Sequence, residues 1–474
     1  MAHLHELSAL EQAAALRRRE VSAVELVEHY LARIEAYGKA VGAFVTVTAD
    51  AAREQARAAD EALRTEEDLP PLFGVPTAIK DLTPTAGVRT TFGSAAFADF
   101  VPTVDADVVR LLRAAGLISL GKTTTSEFGL SAHAESDVAP PARNPWAVEN
   151  TAGGSSGGAA AAVAAGLVPV AHGNDGGGSV RIPASICGLI GFKPSRGVVS
   201  NGPLGFGGFG LSSNGVLGRT VADVAALLDA MAVPQAGEPY PVPPRPADGF
   251  LAAARRACER PLRVARFTAP MLADTPVDPA CLAAVDVAAD VLMRAGHEVV
   301  DVPGLLDPQL EQPFDTVWAV LATQSLVPPD REERLQPLTR WMRERGARVP
   351  AAKLLADLSA IQAEVRRTLR SLARFDLLLS PTLASPQARI GYFTETGDPA
   401  EDFVRQKRFS PYCAAYNVTG QPAVSLPVGR TEDGLPVGAM LAGRVGEDAL
   451  LLSVAAAFEQ IHPLSREPAR PPIP

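Results

Sequence analysis

This 474-residue chain predicts an α/β layered fold, and three observations carry the prediction. Short apolar runs with β-branched residues alternate with helical patterns over the first two hundred residues. A proline-rich excursion past Pro234 interrupts that texture, and the alternation then resumes. Strand-like runs return near the end, so one sheet built from both halves is expected, not two independent domains.

In order, "SAVELVEHYLARIEAYG" offers an N-cap at Ser22, apolar residues at helical spacing and a terminating Gly38. "TADAAREQARAADEAL" predicts a second amphipathic helix, capped by Thr48 or Asp50. "PLFGVPTAIKDL" reads as a buried strand ending at Lys80–Asp81. "DADVVRLLRAAG" predicts a helix and "LISLGK" the next strand. "SSGGAAAAVAAG" is a helix of small residues, suited to close packing, and "LVPVA" is strand-like. The short helix "PASICG" has Pro183 in its first turn, where a missing N–H costs nothing. The strand "GLIGFKPS" and the helix "TVADVAALLDAMA" follow. Beyond the loop "VPQAGEPYPVPPRPADG" come the strand "LRVARF", the helix "LAAVDVAADVLMRAG" and the strand "HEVVDV". A long helical stretch is expected from about Leu335 to Ala373. Strands in "FDLLLSPTLA" and "AVSLPVG" and the helix "LLLSVAAAFEQI" close the chain.

A net charge of −9, no Lys/Arg stripe and only 5% aromatics argue against nucleic-acid binding. Cys187, Cys258, Cys281 and Cys413 form no CxxC pair, so buried free thiols are expected and no metal site. The N-terminal "MAHLHELSALEQ" lacks a basic segment followed by an apolar run, so no secretory signal is expected. The longest apolar run, around Ala159–Ala171, is too short for a membrane span and is broken by Gly166 and Pro169. The expectation is a cytoplasmic protein without membrane contact or cofactor.

Only six of the 44 basic residues are lysines. Lysine can give up its proton when desolvated, whereas arginine cannot. A lysine at the end of an apolar strand, such as Lys80, therefore needs a reason. Gly116–Thr123 fits the phosphate-loop pattern GxxxxGK[ST], which has a mechanism only when a strand precedes it and a helix follows. Here a helical pattern precedes it and "LISL" is itself strand-like, so Lys122 is read as a strand-end residue.

Two glycine–serine clusters remain: "TAGGSSGGAA" with Ser155 and Ser156, and "GNDGGGS" with Ser179. Both suit turns, since glycine supplies positive φ cheaply. They also suit a nest, because backbone N–H groups without Cβ atoms between them can converge on an anion. A nucleophilic Ser179 needs a base, no GxSxG elbow is present, and Lys80 is the candidate. His172 is expected to be a satisfied buried histidine, and Cys187 a packing residue.

These segments resemble the amidase signature hydrolases. The resemblance is carried by Gly74–Asp81 ("GVPTAIKD"), Gly153–Gly158 ("GGSSGG"), Asn174–Pro183 ("NDGGGSVRIP") and Cys187–Pro194 ("CGLIGFKP"). "SEFG", "RNPW" and "NVTGQPAVSLPVG" extend it over nearly the whole chain, least clearly from about 233 to 370. It implies a single α/β/α domain over 1–474 with a mixed central sheet covered by helices. Residues 1–65 would be N-terminal helices and 66–232 the signature core. Residues 233–375 would be a largely helical part lining the pocket, and 376–474 the return to the sheet.

It further implies a serine–cis-serine–lysine triad. Ser179 would attack an amide carbonyl, and Ser155, behind a cis peptide bond, would bridge Ser179 to a neutral Lys80. The backbone of Gly176, Gly177, Gly178 and Ser179 would form the oxyanion hole. Ser156, Asp175 and Arg181 would brace the loop, and Asn174 would bind substrate. His133 and Glu135, in "SAHAESD", are read either as lining the substrate pocket or as part of an exposed loop. The implied partner is a small linear or cyclic amide, with no metal or cofactor; a homodimer is left open. "NDGGGS" with "CGLIGFKPSRG" leans towards the branch containing 6-aminohexanoate cyclic dimer hydrolases. The alternatives are a glutaminyl-tRNA amidotransferase A-type subunit and a nucleotide-binding protein using Gly116–Thr123.

Overall fold

The computed structural model describes residues 3–203, 205, 207–304, 308–464, 468 and 469. Its strands are β1 (Phe44–Val47), β2 (Pro76–Lys80), β3 (Ile118–Thr123), β4 (Arg143–Asn144), β5 (Ala147–Thr151), β6 (Val170–Asp175) and β7 (Ile190–Lys193). They continue with β8 (Ser213–Gly218), β9 (Arg263–Arg266), β10 (Glu298–Asp301), β11 (Leu377–Pro381), β12 (Ala423–Arg430) and β13 (Pro436–Ala442). Among the described residues, eleven of these make one mixed sheet in the order β1-β3-β2-β6-β8-β7-β12-β13-β11-β9-β10, and β4 and β5 make a separate hairpin. Helices cover the sheet, so the predicted α/β architecture holds. No described helix is long and apolar enough to cross a membrane.

The local rules explain most elements. The helix Ala23–Tyr37 starts at Ser22, whose side chain and Glu25 form a reciprocal capping box. The helix Val221–Met231 is capped by Thr220, which accepts from the Asp223 N–H. Every residue of the small-residue helix Gly157–Ala164 is buried. That helix packs against β6, β3 and β2, the strands that carry or flank Lys80 and Asn174.

Several expectations need correction. The "GNDGGGS" segment is not all loop: Gly173, Asn174 and Asp175 continue β6, because they pair antiparallel with Gly215, Asn214 and Ser213 of β8. β8 itself carries no alternation and was not anticipated. The helix after Ser179 spans Arg181–Cys187, two residues earlier than Pro183 suggests. The helical stretch after Leu335 is two helices, Pro337–Ala347 and Ala351–Ser371, separated at Pro350. A further helix, Glu311–Ala322, precedes them. Cys258 is half-buried; the other three free thiols are buried.

The nucleotide-binding alternative is overturned. Ile118–Thr123 is a strand, flanked by β1 and β2. Lys122 is buried, with Nζ donating to Thr83 O at 2.5 Å and to Thr90 Oγ1 at 2.8 Å, so it has no free ammonium to offer a phosphate.

Candidate active site

β2 and β6 are parallel neighbours, paired at Thr77 with Val170 and at Ala78 with Ala171. Lys80 and Asn174 therefore emerge together at the carboxyl ends of adjacent strands, where open α/β sheets place their sites. Lys80 Nζ stands 2.7 Å from Ser155 Oγ. It donates to Asn174 Oδ1 at 2.7 Å and to the Asn174 carbonyl at 3.2 Å. Lys80 is fully buried, and that desolvation pushes its ammonium well below the usual lysine range; the negative charge of Asp175 opposes the shift without cancelling it.

Ser155 follows a cis peptide bond from Gly154. Ser156 precedes the small-residue helix and ties the loop at Ser179 to β6. Its N–H donates to the Ser179 carbonyl at 3.0 Å, and its hydroxyl to the Asn174 carbonyl at 3.2 Å. Ser179 is 7% exposed and lines the same chamber as Ser155, without a hydrogen bond between the two hydroxyls.

The loop 176–179 is held from beneath by a buried ion pair. Arg181 Nη2 and Nε donate to Asp175 Oδ1 and Oδ2 at 2.8 and 2.9 Å. Burial alone would raise Asp175, but Arg181 overrides it and holds the carboxyl well below its usual range. Asp175 also accepts from the N–H groups of Gly178 at 2.8 Å and Val180 at 3.1 Å. Of the four N–H groups expected in the nest, that of Gly178 is committed to Asp175. The N–H groups of Gly176, Gly177 and Ser179 meet no acceptor among the described residues. Gly178 contributes conformation instead: its φ is +126°, and a Cβ there would lie 2.5 Å from Cys413 Cβ.

His172 donates or accepts at both ring nitrogens, to Asn214 Oδ1 at 2.9 Å and from the Lys80 N–H at 3.4 Å, as a satisfied buried histidine should. Burial lowers it to about 4. His133 departs from its expected place. It is buried and lines neither chamber, stacked on Phe393 with 5.8 Å between ring centroids. Glu135 accepts from the Gly391 N–H at 2.9 Å, also away from the chambers. Asn174 lines the larger chamber but spends both of its oxygens on Lys80, so it holds the lysine. Cys187 is buried, and burial pushes its thiol far up, as suits packing.

Ser179 stands where two chambers meet. The smaller, of about 70 Å³, has walls of Leu130, Ile182, Leu272, Phe314 and Phe403. The larger, of about 520 Å³, includes Ser155, Asn174 and Gly176 together with Phe92, Phe128 and Leu321. Trp318 borders both, on the unanticipated helix Glu311–Ala322. Its ring sits 3.4 Å from where a Gly176 Cβ would be, fixed by a 3.3 Å hydrogen bond to the Leu130 carbonyl and by stacking on Phe314. Asn417 was also missed as a site residue. Its amide donates to the Asp175 carbonyl at 2.7 Å and to the Leu211 carbonyl at 2.9 Å, locking the loop to the C-terminal segment. Trp318 carried only one signal, its rarity: the chain has three tryptophans.

The family model for Amidase matches residues 25–452. The chain belongs to the amidase family. This amidase is 37% identical over 468 residues to a putative amidase of Synechocystis sp., covering 96% of this chain and 88% of that protein. It is 35% identical over 474 residues to an acylamidase of Rhodococcus erythropolis, covering 97% and 96%. Its fold matches the structure of 6-aminohexanoate cyclic dimer hydrolase complexed with substrate at a TM-score of 0.90. That match has 31% identity and covers 99% of this chain and 100% of the other. Amide hydrolysis is accordingly the activity class of this amidase.

Proposed function

We propose that this amidase hydrolyses small-molecule amides through an acyl-enzyme on Ser179, with Ser155 and Lys80 relaying the proton. The observation that carries this reading is the 2.7 Å contact between the buried Lys80 amine and Ser155 Oγ, in a chamber that Ser179 also lines. A neutral lysine has two N–H groups and one lone pair. Asn174 supplies two acceptors for the hydrogens, which leaves the lone pair to take the Ser155 hydroxyl proton.

Ser179 Oγ bonds to the amide carbon while its proton passes to Ser155 and the Ser155 proton passes to Lys80. The carbonyl oxygen becomes an oxyanion facing the N–H groups of Gly176, Gly177 and Ser179. Each such donor is typically worth about 3 kcal/mol in the transition state. Collapse breaks the C–N bond, and the nitrogen leaves with the proton from Ser155, which Lys80 restores. Water then adds to the acyl ester, loses its proton along the same path, and releases the carboxylic acid and free Ser179. Asp175, Arg181 and Asn417 touch no reacting atom; they keep the donor loop in register.

The amidotransferase-subunit alternative would use the same chemistry, and no observation of its own favours it. The test is amide hydrolysis by Ser179→Ala and Lys80→Ala. Loss of turnover with a retained fold is expected; full activity in either variant contradicts the reading.

A further inference from the structure

We propose that the two chambers around Ser179 divide the substrate in a fixed sense. The smaller holds a compact apolar acyl group, and the larger holds a bulkier, largely apolar amine. This rests on the serine–serine–lysine reading above and adds a substrate class to it.

The direction follows from the proton. The leaving nitrogen must take its proton from Ser155, so it has to lie within hydrogen-bond reach of that hydroxyl. Ser155 borders the larger chamber and not the smaller one. The amine therefore points into the larger chamber, and the acyl group, across Ser179, into the smaller. Trp318 stands against the glycines of the donor loop and, with Leu130, borders both chambers at their junction.

The sizes then set the class. The smaller chamber, about 70 Å³ against about 520 Å³ for the other, has the tighter room and suits a short chain or a small ring. Its apolar walls include Leu130, Ile182, Leu272 and Phe314, and Gln406 and Ser410 are polar members of the same lining. The Lys407 ammonium at its edge is already matched by Glu311 at 2.5 Å and Asp315 at 2.8 Å, so it does not call for an anionic acyl group. The larger chamber, about 520 Å³, offers aromatic faces from Phe92, Phe128 and Trp318. Phe92 and Phe128 belong to a cluster with Phe97 and Phe100, with ring centroids 5.4 to 5.9 Å apart, which makes that wall stiff. A flat apolar amine fits this side. Water for deacylation enters by the same side once the amine has left, next to Ser155.

The test uses two substrate series on the full-length enzyme. In the first the amine is fixed as aniline and the acyl group grows from acetyl to octanoyl. In the second the acyl group is fixed as acetyl and the amine grows from ammonia through aniline to 2-naphthylamine. In the first series kcat/KM is expected to rise up to about fourfold per methylene, then to fall at least tenfold once the acyl chain outgrows the smaller chamber. In the second series it is expected to rise at every step. Leu272→Ala should move the acyl cut-off to longer chains, and Leu321→Trp should depress the naphthylamide alone. Labelling of Ser179 by a fluorophosphonate reports the fold and nucleophile of each variant. Long acyl groups tolerated with large amines excluded, or Leu272→Ala acting on the amine series, would overturn the orientation while leaving Ser179 as nucleophile. Absence of any Ser179 adduct in the wild type would overturn the mechanism beneath it.

Discussion

Lys80 Nζ faces Ser155 Oγ at 2.7 Å without a carboxylate in ion-pairing reach, whereas the equally buried Lys122 lies 3.7 Å from Asp81 Oδ1. The difference separates a lysine that can lose its proton from one whose charge is matched. Burial lowers Lys122 to about 8 with Asp81 opposing, and it also pushes Lys80 well below the usual lysine range. Protonated Lys80 is inert as a base, so activity should climb as pH rises through its lowered pKa. A plateau should come well before the usual lysine value of about 10.4. A pH profile of kcat/KM checks this. Lys80→Arg should lose at least about a thousandfold together with the ascending limb, because a guanidinium does not deprotonate.

His133 and His172 set a stability limit on the acid side. Burial lowers each to about 4 from the ordinary 6.5. The unfolded chain then binds more protons than the folded one between those values. Stability is therefore full above about pH 6.5 and is lost as pH falls towards 4, by up to about 3 kcal/mol per histidine. His172→Gln should flatten part of this slope in urea unfolding followed from pH 7 to 4.

Removing the charge of Asp175 should act through the loop and the fold together. Asp175→Asn leaves buried Arg181 without its counter-charge, a change that typically costs about 3–5 kcal/mol. It also weakens the acceptor for the Gly178 N–H. A drop in the denaturation midpoint together with a fall in kcat is expected, with KM changing far less.

Gly176 and Gly178 should respond differently to alanine. Gly178→Ala meets both a left-handed φ of +126° and a Cβ position 2.5 Å from Cys413, so it should destabilise the fold by at least about 2 kcal/mol. Gly176→Ala has no such φ and meets Trp318 at 3.4 Å, an ordinary contact. It should fold normally, with its effect confined to kinetics. Thermal unfolding of the two proteins separates the cases.

What could be read in advance was what is written locally. Ser155, Ser156, Asp175, Ser179 and Arg181 sit in or beside short segments rich in glycine and serine, Lys80 ends an apolar strand, and the structure places all of them around one loop. The helix start at Ser22 was legible for the same reason, as caps act within one turn. β8 was not, because a strand buried on both faces, "SNGVLG", has no alternation to show. Trp318 and Asn417 were not, because only tertiary folding brings them to residues 142 and 242 positions away, Gly176 and Asp175. His133 shows the opposite failure. Polar residues beside the signature segments suggested a pocket wall, yet nothing local says which side of a chain segment will face the cavity.

The most direct measurement is rapid-quench mass spectrometry of the enzyme turning over an anilide. The mechanism predicts an acyl group on the peptide containing Ser179, whose mass follows the acyl part of the substrate and not the amine. It also predicts that Ser179→Ala carries no such adduct. An acyl group on any other residue, or undiminished turnover by Ser179→Ala, would contradict it.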